Sequence, residues 1–237
     1  MIALQTLVQD FTEMKELDPN LWRRDTGGHG FGNKELQYYT MSEKNLYFDE
    51  QGLHIKAIKE DYEQNHYTSS KIVSRFSFRY GRVEFVAKLP KLLGTWPAVW
   101  MLGEEIKTKH NWPACGEIDF LETIGRMPGI LHVSLHDEEY NHVKGNHRTI
   151  LLKLNDEEFH HFVYYWTKDG FTCEIDGVHH DLFKAPQNRN IHNWNFDQPF
   201  FMIINLAIGG YFPGNPRHDF TSDEFIIKYL KIEGLDL

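Results

Sequence analysis

Three carboxylates stand close together in Gly116-Glu117-Ile118-Asp119-Phe120-Leu121-Glu122, separated by apolar side chains. A β-strand sends alternate residues to opposite faces, so Glu117 and Asp119 share a face while Ile118 turns toward a core. Glu122 falls on the wrong parity. A single β-bulge at Phe120-Leu121 restores it, and the spacing therefore predicts a bulge that brings all three acids to one face. Glu117 and Glu122 would then lie about four strand steps apart, roughly 13 Å between Cα atoms, a gap that two inward-leaning Glu side chains can close. Paired carboxyls suit cleavage of an acetal bond, with about 5–5.5 Å between them for double displacement and about 6.5–9.5 Å for inversion. Crowded like charges favour one proton among them, held by the member with least hydrogen-bond support, which becomes the acid. Asp119, in the middle, is placed to hydrogen-bond Glu117 and hold it for attack.

The same pattern also fits a solvated polar face of an ordinary strand. The neighbouring residues weigh against that. Trp96, Trp100 and Trp112 precede the acids, two of them in Gly94-Thr95-Trp96-Pro97-Ala98-Val99-Trp100-Met101-Leu102. Flat aromatic rings stack on the apolar faces of sugars, which makes a neutral glycan the matching ligand. Each Trp alone fits a core equally well.

The elements that must position these groups are short strands. Lys71 to Leu89 alternates, with Ile72, Ser74, Phe76 and Phe78 on one parity and Val83, Phe85, Ala87 and Leu89 on another after Gly81. That predicts two strands, or one bent at Gly81. Similar segments cover 53–58, 162–166, 171–175, 200–206 and 224–232, and Lys168-Asp169-Gly170 and Asp176-Gly177 read as hairpin turns. Amphipathic helices are absent apart from short turns expected near Ser42 and Asn155. Many short antiparallel strands in a chain of 237 residues argue for an all-β sandwich or jelly roll, and without repeats or linkers residues 1–237 read as one domain.

Composition narrows the partners. A formal charge of -9 with no basic cluster excludes the electrostatic footprint for nucleic acid or anionic lipid. The longest apolar run, 200–208, is interrupted by Asn205 and is far short of the roughly 20 residues a membrane helix needs. The 14 histidines show no HExxH spacing, and the His160-His161 and His179-His180 pairs would point to opposite faces of a strand, so no metal site and no cofactor is expected. Cys115 and Cys173 are expected as buried free thiols, and a monomer is expected. Met1-Ile2-Ala3-Leu4-Gln5 shows no signal-peptide pattern, so a cytoplasmic location is expected if the chain is the complete native one.

These motifs resemble the laminarinase-type members of glycoside hydrolase family 16. The resemblance runs from about Leu7 nearly to the C-terminus. Its most specific element is the E-x-D-x-x-E segment at Glu117, Asp119 and Glu122. Asn33-Lys34-Glu35-Leu36-Gln37-Tyr38-Tyr39-Thr40, Tyr80-Gly81-Arg82, Lys88-Leu89-Pro90, the Trp96–Trp100 segment and Asn205-Leu206-Ala207-Ile208-Gly209-Gly210 follow in matching order. The resemblance implies a β-jelly roll of two antiparallel sheets with an open concave substrate cleft. It implies internal cleavage of β-1,3 or mixed β-1,3/1,4 glucan with retention. Glu117 would be the nucleophile, Asp119 its helper and Glu122 the acid/base. Trp96 and Trp100 would stack on sugars, Asn33 and Arg82 would lie on the glycone side, Trp112 would contact substrate, and His136 would stand close to the acid/base.

Departures from the family pattern carry expectations of their own. Lys228 in Ile226-Ile227-Lys228-Tyr229 stands where an Asp is frequent, and Gln9-Asp10-Phe11 replaces an acidic pair, which opposes the structural calcium such acids hold. Thr68-Ser69-Ser70-Lys71 lacks a frequent arginine, and Phe212 replaces a frequent Trp, so a substrate contact and the subsite strengths should differ. A lichenase, a transglycosylase on the same intermediate, and a catalytically silent glucan-binding module remain as alternatives.

Overall fold

The computed structural model describes residues 5–236; Met1 to Leu4, which open the N-terminal segment read above, lie outside the described residues. The strands are β1 (Gln5–Asp10), β2 (Trp22–Arg24), β3 (Gln37–Tyr39), β4 (Leu46–Asp49), β5 (Gly52–Ile58), β6 (Tyr67–Ser69), β7 (Lys71–Lys88) and β8 (Thr95–Gly103). They continue as β9 (Glu117–Glu122), β10 (Ile130–His136), β11 (Arg148–Lys153), β12 (His160–Thr167), β13 (Gly170–Ile175), β14 (Val178–Lys184), β15 (Phe200–Ile208) and β16 (Ser222–Asp236).

They build two layers. The front sheet runs β11-β10-β9-β8-β15-β7, with β2 on the first half of β7. The back sheet runs β14-β13-β12-β7-β16-β5, extended by β1, β4 and β6, and the pairing of β3 with β6 is parallel where the others are antiparallel. This is the jelly-roll sandwich that the alternating segments imply.

Strand β7 belongs to both layers. Its first half pairs with β15 and its second with β12 and β16. The passage falls at the expected bend, where Tyr80 has φ 61° and Gly81 φ 145°. A Cβ on Gly81 would lie 2.3 Å from the Glu233 carbonyl oxygen, so β16 could not pack there against any other residue.

The core fills the space between the layers with large rings. Phe85 stacks on Phe162 at 4.8 Å, and Trp166 meets Phe78, Phe171 and Phe200 at 5.9, 5.9 and 5.5 Å. All of them are at most 3% exposed, and each such side chain contributes about 1.5–3 kcal/mol of burial. Ile118, Phe120 and Leu121 of β9 join this core, which anchors the acid-bearing strand from behind.

Hairpins form at both sites read from the sequence, joining β12 to β13 and β13 to β14. Near Ser42 and Asn155 the chain does turn, through Asn45 N–H to the Ser42 carbonyl and Glu157 N–H to Asn155 Oδ1. Among the described residues two short 3-10 helices lie elsewhere, at Glu104–Lys107 and His142–Lys144. Cys115 and Cys173 are free and buried.

Candidate active site

The bulge is present where parity demands it. On β10, His132 pairs with Glu122 and Ser134 with Asp119, so the single residue Val133 faces two on β9, Phe120 and Leu121. Both of these turn into the core, at 1% and 0% exposure, and Glu122 returns to the face of Glu117 and Asp119. The extra residue loosens the ladder, and the Phe120 carbonyl is satisfied from the opposite layer by the buried Tyr164 hydroxyl.

That face is the floor of a cavity of about 820 Å³ on the outer side of the front sheet. Alternation puts Trp96, Ala98, Trp100 and Leu102 of β8, Asn205 and Ala207 of β15, and His132, Ser134 and His136 of β10 on the same side. Asn33 and Trp112 also line it, from loops.

Each glutamate is held by an indole. Trp112 Nε1–H donates to Glu117 Oε2 at 3.0 Å, and Trp96 Nε1–H donates to Glu122 Oε1 at 2.9 Å. Trp100 Nε1–H donates to Asn205 Oδ1 at 2.7 Å, and Asn205 in turn donates to the Tyr39 hydroxyl at 3.0 Å. Three tryptophans that sequence alone could have buried in a core are therefore fixed at the cleft by their polar edges.

Burial pushes all three carboxyls above their ordinary range. For Glu117, repulsion from Asp119 and Glu122 adds to burial, and the His136 ring and the Trp112 hydrogen bond offset part of it. Burial alone raises Asp119. Glu122 is pushed up to about 8 by burial and by Asp119, with partial relief from His136 and Trp96. At neutral pH this cluster holds at least one proton, because three adjacent charges in so dry a place cannot all form.

Two expectations about partners are corrected. Asp119 does not hydrogen-bond Glu117; its nearest polar partner is His136 Nε2, 3.2 Å from Oδ2, because both carboxyls are acceptors unless one is protonated. His136, expected close to Glu122, stands nearer to Glu117, although its charge still reaches Glu122. The antiparallel register sets it opposite Glu117, with Nε2 at 3.7 Å from Oε1, and sets His132 opposite Glu122.

Arg82 is the one candidate that the fold removes from the site. The bend at Gly81 carries it onto the back sheet, where its guanidinium donates to Glu84 at 2.5 Å and Glu233 at 3.2 Å.

Several cleft residues escape a reading centred on acids and tryptophans. His132 and Ser134 were open to detection, since they share the parity of His136. Glu35, whose carboxyl burial raises despite hydrogen bonds from Gln37 at 2.6 Å and Asn33 at 3.3 Å, lies in a motif already noted. Lys71, at the position lacking arginine, and Phe212, edge-on to Trp96 at 5.2 Å, line the cavity as substitutions in the substrate-facing wall. His142 and His147 come from the loop after β10, whose Asp137–Arg148 ion pair at 2.7 Å and Asn141 cap fix it beside Trp112. No sequence pattern ties that loop to Trp112.

A two-layer jelly roll with paired carboxyls on the floor of a tryptophan-lined cleft defines a glycan-directed site of the two-carboxylate class. Comparison with known proteins places it further. The sequence profile described as Glycosyl hydrolases family 16 matches residues 33–230. The Beta-glucanase of Rhodothermus marinus is 36% identical over 229 residues, 91% of this chain and 79% of that protein. Glucan endo-1,3-beta-glucosidase A1 of Niallia circulans is 34% identical over 240 residues, 90% of this chain but only 35% of that longer protein. The crystal structure of laminarinase from Flavobacterium sp. UMI-01 superposes with a TM-score of 0.87 at 37% identity, covering 98% of this chain and 100% of that one. The chain belongs to glycosyl hydrolase family 16.

Proposed function

We propose that the protein cleaves β-1,3-glucan, or mixed β-1,3/1,4-glucan, internally and with retention of configuration. The observation that carries this reading is the bulged β9 strand, which sets Glu117 and Glu122 on one face of the cleft, each carboxylate gripped at one oxygen by an indole N–H. Glu117 Oε1, the oxygen left free by Trp112, attacks the anomeric carbon. Glu122 protonates the departing glycosidic oxygen, then takes a proton from the water that hydrolyses the glycosyl-enzyme.

The division of labour follows from the surroundings. Both glutamates have an indole donor, but Glu117 lies 3.7 Å from His136, whereas Glu122 is paired across the strands with His132, whose ring burial favours in its neutral form. On this reading Glu122 carries the shared proton in the reactive state and serves as the acid, and Glu117, which burial also raises, is the group that ionises to attack. Asp119 acts through His136 and through its field on both glutamates. The names of the related proteins support β-glucan as the substrate class, and the aromatic side chains of the cleft, Trp96, Trp100, Trp112, Tyr39 and Phe212, suit a neutral polymer.

Incubation with laminarin, barley mixed-linkage glucan and carboxymethyl-cellulose, followed by reducing-end and product-size analysis, tests the assignment. Short oligomers released from the first or second substrate support it, and their ranking fixes the linkage preference. Silence on all three, with retention in a laminarin affinity gel, would identify a binding protein instead.

A further inference from the structure

The carboxyl cluster has a property that glycan cleavage does not call for. Glu117, Asp119 and His136 each offer one ligating atom, and the three atoms lie within 4.8 Å of one another. His136 Nε2 stands 3.2 Å from Asp119 Oδ2 and 3.7 Å from Glu117 Oε1. Ligands bound tetrahedrally at about 2.0–2.1 Å from a zinc ion are separated by roughly 3.3 Å, a value bracketed by the two spacings from His136.

We propose that these three side chains form a preformed site for a divalent transition metal ion such as Zn²⁺, separate from any role in the reaction, and that its occupation shuts the enzyme off.

The supporting groups fit this use. Asp119 is 3% exposed, and its Oδ2, which faces His136, accepts no hydrogen bond, leaving a buried acceptor aimed at the proposed ion. Trp112 holds Glu117 by Oε2 and so turns Oε1 inward, the outer-shell orientation that metal-binding carboxylates normally receive. The His136 Nδ1 has no partner, and a proton carried there when a metal ion displaces it from Nε2 leaves the Nε2 lone pair, which faces both carboxyls, free to ligate. One nitrogen and two carboxylate oxygens suit zinc or copper, whereas calcium takes about 6–8 oxygen ligands and magnesium an oxygen octahedron. The fourth position opens to the cleft, and a dication there offsets the mutual repulsion of the carboxyls. The inhibitory half of the proposal rests on the function proposed above, since a metal on Glu117 Oε1 occupies the attacking oxygen; the binding half does not.

Isothermal titration of the untagged protein with zinc chloride decides the binding half without reference to activity. One ion per chain is expected. His136→Gln and Glu117→Gln, both verified as folded by near-UV circular dichroism, should each weaken it by about 100-fold or more, beyond the 10–100-fold of an outer-shell change. A surface control, His179→Gln, should leave it unchanged. No saturable binding, or binding of equal strength in His136→Gln, overturns the proposal even if glucan is cleaved as expected. For the inhibitory half, zinc should raise the apparent KM for laminarin oligosaccharides in proportion to its concentration, and chelation should restore the rate. Bound zinc without inhibition would overturn that half alone.

Discussion

The front and back sheets both carry rows of acids, and they treat them in opposite ways. On the back sheet Glu84 accepts from Arg82 at 2.5 Å and meets His161 at 2.7 Å, and its carboxyl is held below the ordinary range by the Arg82 hydrogen bond. Glu233 is likewise held down, first by Lys231 at 3.0 Å and then by Arg82. On the front sheet, among the described residues, Glu117, Asp119 and Glu122 have no Lys or Arg partner, His136 faces Glu117 and Asp119, and burial drives all three up. The fold can supply cations to its acids, as the back sheet shows. It withholds them from the three acids of β9, and an acid kept buried, crowded and short of counter-charge is one poised to exchange protons or attack.

If the contrast is right, substitutions on the two faces should differ by orders of magnitude in rate. Glu117→Gln should lower kcat/KM for laminarin at least about 10³-fold with the fold retained, because it removes the attacking group outright. A residual rate within tenfold of wild type would reassign the nucleophile.

Glu122→Gln should cost about 10²–10⁴-fold, the usual worth of a positioned general acid and base. The same carboxyl sets a pH limb. Its folded value is about 8, so the acid form is present below that pH and kcat/KM should fall as pH rises through about 8. Linkage carries the same sign. Between an unfolded Glu value of about 4.3 and the folded value the native state holds a proton that the unfolded state has lost, so stability declines as pH rises across that window. Glu122→Gln should flatten the decline in thermal melts; an unchanged slope would show that the carboxyl is not the group responsible.

Trp112→Phe keeps an aromatic ring beside His142 but deletes the donor to Glu117. A hydrogen bond to a charged group is worth about 1.5–3 kcal/mol, so kcat should fall by about 10- to 150-fold with KM less affected. An effect on KM alone would make Trp112 a sugar contact and nothing else.

Arg82→Ala tests the quiet face. Activity should stay within about twofold and stability should drop by about 0–1 kcal/mol, as for other partly exposed ion pairs. A large loss of activity would return Arg82 to the substrate path.

How far the sequence foretold this arrangement depends on whether a feature is local. The bulge was readable because Glu117, Asp119 and Glu122 lie on one strand and only an extra residue reconciles their parity. The partners of His136 were not, because they depend on the register of β10 against β9, which two strands of suitable alternation leave open by a residue or two. Arg82 went astray for a related reason: alternation gives the face of a strand, not the sheet it belongs to, and β7 changes sheets at Gly81. The contact between Trp112 and His142 needed a loop conformation that has no periodic signature.

The most direct test of the central claim is the anomeric configuration of the first product. Proton NMR during cleavage of a laminarin oligosaccharide at high enzyme concentration should show the β-anomer of the new reducing end appearing first, with the α-anomer growing in only by mutarotation. An α-anomer formed first would mean that water attacks directly, and Glu117 would then be a base for that water and not the nucleophile.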